Sequence, residues 1–281
     1  MNRKNILGLI VCLALFVASF ALTPSGLAGY WNLAALLVVI SGLGASLLIA
    51  YPFETIRNAW AVARNAYRSR PATPDEVART LLDLSVRCRV DGVLSLERLE
   101  ELSRDTFLAG AVQCLVDNYK EEEMRDLLGA EMRFFALRRQ QSERVFLALA
   151  RLAPAFGLAG SVIGIIGMIM GINDTAVILQ NIPVAFISTL YGVILGNLVF
   201  APLAENIHQQ TRAQLLNQEM ILEGVSAMSR EQNPYKLERR LSALLTPGLR
   251  AEQIQALRGI TRKYARQKVA KEEGGLLADV S

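Results

Sequence analysis

The sequence predicts an all-α, polytopic membrane protein with four transmembrane helices and a helical cytoplasmic domain. Three observations carry that expectation. Hydrophobic residues make up 52% of a chain that is still 20% charged, so the charges must be gathered into blocks. The 49 residues from Asn5 to Phe53 contain no Asp, Glu, Lys or Arg. Residues 152–204 are a second such stretch, with Asp174 as their only charge. A bilayer core takes about 20 apolar residues per helix, which gives each stretch two spans.

The first pair is read as residues 6–23 and 32–51, divided by the turn-like Thr23-Pro24-Ser25-Gly26. Arg3 and Lys4 before an apolar run would also suit a signal peptide. No clear Ala-x-Ala site precedes Tyr30, however, and a second apolar segment follows at once. Residues 1–53 are therefore assigned to transmembrane helices 1 and 2.

Residues 54–151 hold sixteen acidic and sixteen basic side chains and few glycines. Helical periodicity shows in stretches such as Val77–Val86 and Leu108–Leu137, the pattern of a compact helical domain. Pro71 and Pro74 break the helix leaving span two, and Thr73 or Asp75 is placed to cap the next. From Glu121 to Arg151 there is no proline, so one long helix is expected to run on into span three.

The second pair of spans is 152–172 and 181–203, together residues 152–204. A helical continuation over 205–231 ends at Asn233-Pro234, within a cytoplasmic tail of residues 205–281. Six basic residues lie between Arg258 and Lys271. They read as a solvated helix near anionic membrane lipid, with no nucleic acid partner.

Orientation follows from the basic residues. Arg3 and Lys4 precede the first span, sixteen Lys or Arg lie between Arg57 and Arg151, and twelve follow the fourth span, while both hairpin turns hold none. The positive-inside rule puts both termini and the middle domain in the cytoplasm.

Enzyme chemistry is not in view. The chain has no phosphate-cradling glycine loop, no carboxylate pair in a pocket-forming context, and a single histidine, His208, which reads as a solvated interfacial side chain. Cys12, Cys88 and Cys114 have no paired spacing, so they are expected to be reduced thiols, with neither a cofactor nor a permanently bound metal.

What the second hairpin does carry is small residues and hydroxyls. Gly157, Gly160, Gly164 and Gly167 recur at three or four residues and share one helical face, as closely packed membrane helices require. Ser161 lies 11 residues from the outer end of span three, about 16 Å, and Thr189 lies 8 residues into span four, about 12 Å. Antiparallel arms bring the two to similar depths. Two readings of these hydroxyls stand side by side: they bond to their own helix backbone, or they line a narrow path and lend oxygens to a passing cation.

Several segments together resemble a known family. They are Ala153-Pro154-Ala155-Phe156-Gly157 with Gly160-Ser161, Ser188-Thr189-Leu190-Tyr191-Gly192, Phe200-Ala201-Pro202-Leu203-Ala204, and Asn233-Pro234 followed by Leu237-Glu238. In these the chain resembles the MotA/PomA subunits of the flagellar motor stator, within the MotA/TolQ/ExbB proton channel superfamily. Arg89-Val90-Asp91-Gly92-Val93-Leu94-Ser95-Leu96-Glu97 looks like that family's Arg-x-x-Gly-x-x-x-Leu-Glu segment.

The resemblance implies a subunit of an ion-driven rotary machine in the bacterial inner membrane. Five copies would surround a dimer of a single-span, peptidoglycan-binding partner, MotB or PomB, whose membrane aspartate carries the ion. By the same resemblance Arg89 and Glu97 engage the rotor protein FliG and transmit torque. Pro154 and Pro202 match the prolines at the cytoplasmic ends of the channel helices, where a missing backbone donor makes a hinge. Ser161, Thr189 and Ser188 become the ion path. Sodium-type members carry threonine where this chain has Ser161, together with a threonine matching Thr189, whereas proton-type members usually have a small residue without a hydroxyl at the first. The transported ion is therefore read as Na+ in preference to H+. An ExbB/TolQ-type energiser is the alternative; it generally has three spans, against which the N-terminal double span and the Asn-Pro tail argue. A transporter with its own substrate site would need polar groups inside its spans.

Overall fold

A computed structural model of the chain describes residues 3–23, 26–68, 72–96, 105–230 and 236–237. Among the described residues the regular structure is helical, without strands. The α-helices are α1 (Arg3–Ala21), α2 (Leu33–Ala50), α3 (Phe53–Arg68), α4 (Pro74–Asp91), α5 (Thr106–Val116), α6 (Glu121–Met170), α7 (Thr175–Ile194) and α8 (Ala201–Ser229). Short 3-10 turns occupy Leu27–Tyr30 and Val93–Leu96, and a π-helical segment, Leu195–Phe200, joins α7 to α8.

The chain divides into two units, one of Met1–Arg70 with Leu137–Gln210, the other of Pro71–Ala136 with Thr211–Ser281. The first contains the apolar helices. Three helical runs are long and apolar enough to cross a membrane: Leu33–Ala50, Glu121–Met170 and the continuous Thr175–Ser229. The sequence reading expects four spans. Over the first of these, 6–23, α1 carries a shorter apolar stretch, Ile10–Ala21.

Side chains such as Leu158, Ile166, Leu179 and Phe186 point outward from α6 and α7. Only 22% of the apolar window of α2 is buried, so these faces are built for lipid or for other protein rather than water. The buried side of the unit is formed by Val39, Leu43 and Leu47 on α2, Ala59, Ala63 and Ala66 on α3, and Phe146, Leu149 and Ala153 on α6, with Phe200, Ala204 and Ile207. Each set recurs at three or four residues, which keeps it on one helical face. Trp60 meets Phe146 edge to face at 5.3 Å. Asn32 caps α2 by accepting from Ala35 N–H. The Tyr191 hydroxyl accepts from Asn32 N–H at 3.1 Å and donates to the Tyr30 carbonyl at 2.6 Å, which fixes the entry to α2.

The second unit packs α4, α5, the start of α6 and the end of α8 around Leu81, Leu82, Leu84, Leu96, Met124 and Ile221. Of the two expected caps for α4, the structure uses Thr73. Its hydroxyl accepts from Glu76 N–H while the Glu76 carboxylate accepts from Thr73 N–H, a reciprocal capping box with Pro74 in the first turn. Asp75 pairs with Arg79 instead.

The periodic stretch Leu108–Leu137 is not one helix. It breaks after Val116, where Asn118 adopts a left-handed backbone with φ 58°. Asparagine tolerates that conformation better than most residues. Glu121, Glu122 and Glu123 then open α6, where acidic groups favour a helix start. Glu121 binds both Arg125 and Arg230, and Arg125 reaches Glu223 at 2.9 Å, so α6 and α8 are tied by a four-residue charge network. From Glu121 the helix runs unbroken for 50 residues, about 75 Å at 1.5 Å per residue.

Candidate functional site

The α6–α7 contact is set by backbone rather than by side-chain volume. A Cβ on Gly157 would lie 2.9 Å from the Ser188 carbonyl oxygen, and one on Gly164 would lie 2.5 Å from Ala185 N. Gly160 faces the Ser188 side chain and Gly167 faces Asn181. From the other helix, a Cβ on Gly192 would come within 2.5 Å of the Ala153 carbonyl oxygen. At Gly157, Gly164 and Gly192, where the neighbour is backbone, only hydrogen fits, and it lets the two backbones touch. Asp174, the one charge of the hairpin, caps the start of α7 by accepting from Ala176 N–H.

This approach brings two of the hydroxyls together across the helices. Ser161 donates to the Ala185 carbonyl of α7, and Thr189 donates to the Gly157 carbonyl of α6 at 3.3 Å. Ala185 and Gly157 are the residues four positions before Thr189 and Ser161 respectively. Each hydroxyl therefore takes the carbonyl that the other would bond within its own helix. The two hydroxyl oxygens lie 2.5 Å apart. Two protons serve three contacts, so the group always has spare lone pairs. Ser188, fully buried, donates weakly to Ala185 O of its own helix at 3.4 Å.

The result is a half-buried cluster of two hydroxyl and two carbonyl oxygens with no ionisable group in it. Such a neutral, oxygen-only set suits a hard cation that sheds water, and it provides no acid or base for catalysis. Among the described residues there is no cluster of His, Cys, Asp and Glu able to hold a metal ion.

Pro154 lies inside α6 and has no N–H for the Ala150 carbonyl. That carbonyl is met by Gly196 of the π-helical segment, where a Cβ would lie 2.8 Å from Ala150 O and 2.9 Å from Pro154 Cδ. The same segment leads directly into Pro202, in the first turn of α8. A proline ring crowds the carbonyl four residues before it, here that of Leu198, and the wider π turn accommodates the clash. The irregularities at Pro154 and ahead of Pro202 thus touch through Gly196. Sequence reasoning missed Gly196 and the π segment; the available signal was the four-residue spacing of Gly192 and Gly196 ahead of Pro202.

Arg89 is exposed in the last turn of α4, while Glu97 and the basic stretch from Arg258 to Lys271 lie outside the described residues. His208 is not simply solvated. It is partly buried, with Nδ1 3.1 Å from a Glu143 carboxylate oxygen. Cys12, Cys88 and Cys114 are free thiols, and burial, aided by Asp117, pushes the Cys114 thiol up from its ordinary value. It is correspondingly unreactive.

Residues 99–220 match the MotA/TolQ/ExbB proton channel family. Along nearly the whole chain, the sequence is similar to Motility protein A of Borreliella burgdorferi. The two are 28% identical over 259 residues, 92% of this chain and 100% of that protein. Similarity to Chemotaxis protein PomA of Vibrio alginolyticus is also 28%, over 90% of this chain and 99% of the relative. The fold is similar to that of the flagellar MotAB stator complex from Bacillus subtilis, with a TM-score of 0.79 and 25% identity, covering 88% of this chain and 97% of the other.

Proposed function

We propose, for a chain that belongs to the MotA/PomA family of stator ion-channel subunits and is not an enzyme, that it drives a sodium-powered flagellar motor with a MotB/PomB-type partner. It is a multi-pass protein of the bacterial inner membrane. Matches that extend over about nine-tenths of the chain to motility proteins support the stator reading over an ExbB/TolQ-type energiser.

In this reading α1 completes a set of four spans, both termini are cytoplasmic, and five copies enclose the partner. The partner's membrane aspartate supplies the buried charge that α6 and α7 lack. That division avoids placing a costly ionisable group on every copy of the ring. Arg89 and Glu97 face the rotor protein FliG, and Pro154 and Pro202 bend as the ion binds and leaves.

The observation that carries the proposal is the oxygen cluster of Ser161, Thr189, Gly157 and Ala185. A sodium ion must replace several water oxygens, and the cluster offers up to four at one level of the helix pair. The proton path of a carboxylate needs only one acceptor, so the exchange of hydroxyls favours Na+. The test is rotation of cells powered solely by this chain and its partner, in medium where sodium is replaced by potassium at constant pH. Wild-type rotation should stop without sodium, and Ser161→Ala should abolish sodium-dependent rotation. Unchanged sodium dependence in Ser161→Ala sinks the assignment of this site, and rotation that persists without sodium makes the motor proton-driven.

A further inference from the structure

α3 begins three residues after α2 ends, and its two faces differ in kind. Ala59, Ala63 and Ala66 are buried in the apolar core of the first unit, and Gln210 donates to the Ala66 carbonyl. Arg57, Trp60, Arg64 and Tyr67 recur at three and four residues, so they follow one stripe beside that buried face. With Ala63 and Leu203 they line an open cavity of about 560 Å³. Trp60 and Tyr67 are 49% and 52% exposed although aromatic, and Phe53 at the start of the helix is 66% exposed.

The charge of the cavity is one-sided. None of its lining residues is acidic. Arg57 is paired with Glu54 one turn earlier, but a guanidinium has five donors and one carboxylate occupies only part of them. Arg64 has no hydrogen-bonding or ionic partner among the described residues. A cavity of this size would admit a glycerophosphate group, and Trp and Tyr are the residues that favour the boundary between headgroups and acyl chains. Arginine forks match phosphate oxygens in pairs.

We propose that this cavity binds the headgroup of an anionic phospholipid from the cytoplasmic leaflet, with Arg57 and Arg64 on the phosphate and Trp60 and Tyr67 against the glycerol and upper acyl chains. The inference rests on the membrane reading of α2, not on the choice of ion or on the flagellar role. Its consequence is a lipid clamp that holds α3 in the plane of the interface, at the point where the chain leaves the bilayer.

The probe is Trp60 fluorescence in the full-length chain carrying Trp31→Phe, reconstituted in nanodiscs of phosphatidylcholine with a minor fraction of phosphatidylglycerol. Bromine on the acyl chains of one lipid or the other reports which one sits beside the ring. Brominated phosphatidylglycerol should quench Trp60 well beyond its mole fraction, by on the order of fivefold per arginine. Adding Arg57→Gln and Arg64→Gln should bring quenching to the bulk lipid ratio, while Arg57→Lys with Arg64→Lys should keep a clear preference and show that the fold is intact. Excess free sn-glycerol 3-phosphate should leave the quenching unchanged. Equal quenching by the two lipids in the Trp31→Phe chain overturns the proposal, as does displacement by free glycerol phosphate. Quenching by neither lipid instead removes the membrane placement on which the proposal stands.

Discussion

Replacing Gly164 by alanine probes one of the two closest backbone contacts between α6 and α7, the other being at Gly192. The new Cβ would lie 2.5 Å from Ala185 N, 2.8 Å from its Cα and 2.9 Å from its Cβ. Ordinary carbon contacts fall at about 3.5–4.0 Å, so α6 and α7 must separate by roughly 1 Å. None of the three atoms is the movable end of a side chain. A shift of that size carries the Ser161 and Thr189 hydroxyls from 2.5 Å to about the limit of a hydrogen bond. Overpacking costs about 1–3 kcal/mol and the lost hydrogen bond about 1 kcal/mol more. At about 2–4 °C per kcal/mol for a chain of this size, the melting temperature should fall by roughly 5–15 °C. Thermal unfolding of the chain with its partner in nanodiscs measures it. Gly44→Ala is the control, since nothing lies within 4 Å of its Cβ and alanine is the better helix former. A Gly164→Ala protein that melts within 2 °C of wild type, or a Gly44→Ala protein that falls equally far, would refute the close-contact argument.

Two further outcomes are expected in the second unit. Thr73→Ala removes half of the capping box and should cost about 1 kcal/mol, seen as faster amide hydrogen exchange in the first two turns of α4 with the end of that helix unaffected. A hydrogen bond from Arg230, assisted by Arg125, holds the Glu121 carboxyl below its usual value of 4.5. A carboxyl depressed in the folded state contributes stability that is full above that value and is lost as the pH falls through the folded one. Denaturant unfolding below pH 4.5 should therefore show a decline that Glu121→Gln flattens; an equally steep decline in the variant would assign it to other carboxyls.

Much of the architecture was legible because it rests on local rules. The absence of charge from Asn5 to Phe53 and the proline-free run into span three both read directly as helices. The start of α4 narrowed to two capping residues, and a hydrogen-bond pair separated them. What escaped depends on tertiary contact or on competing local preferences. The break at Asn118 lies inside an apolar repeat that is periodic on both sides, so periodicity does not mark it. His208 looked solvated because its partner, Glu143, is 65 residues away in the chain and adjacent only after folding. The hydroxyl pair was placed at similar depths by counting residues. The exchange of carbonyls between Ser161 and Thr189 needed the distance between the helices, which the glycines of both helices set and no spacing rule specifies.

The charge-free hairpin has an electrical consequence. A membrane voltage does work of about 2.3 kcal/mol per 100 mV on each elementary charge that crosses it. Residues 152–204 give it nothing to act on, since their only charge, Asp174, is fixed at the turn as a helix cap. The field therefore has no gating charge to pull in this stretch of α6 and α7, and any voltage dependence must enter through a charge supplied from outside it. In the proposed stator, torque should therefore track the driving force on the transported ion and not a voltage sensitivity of these helices.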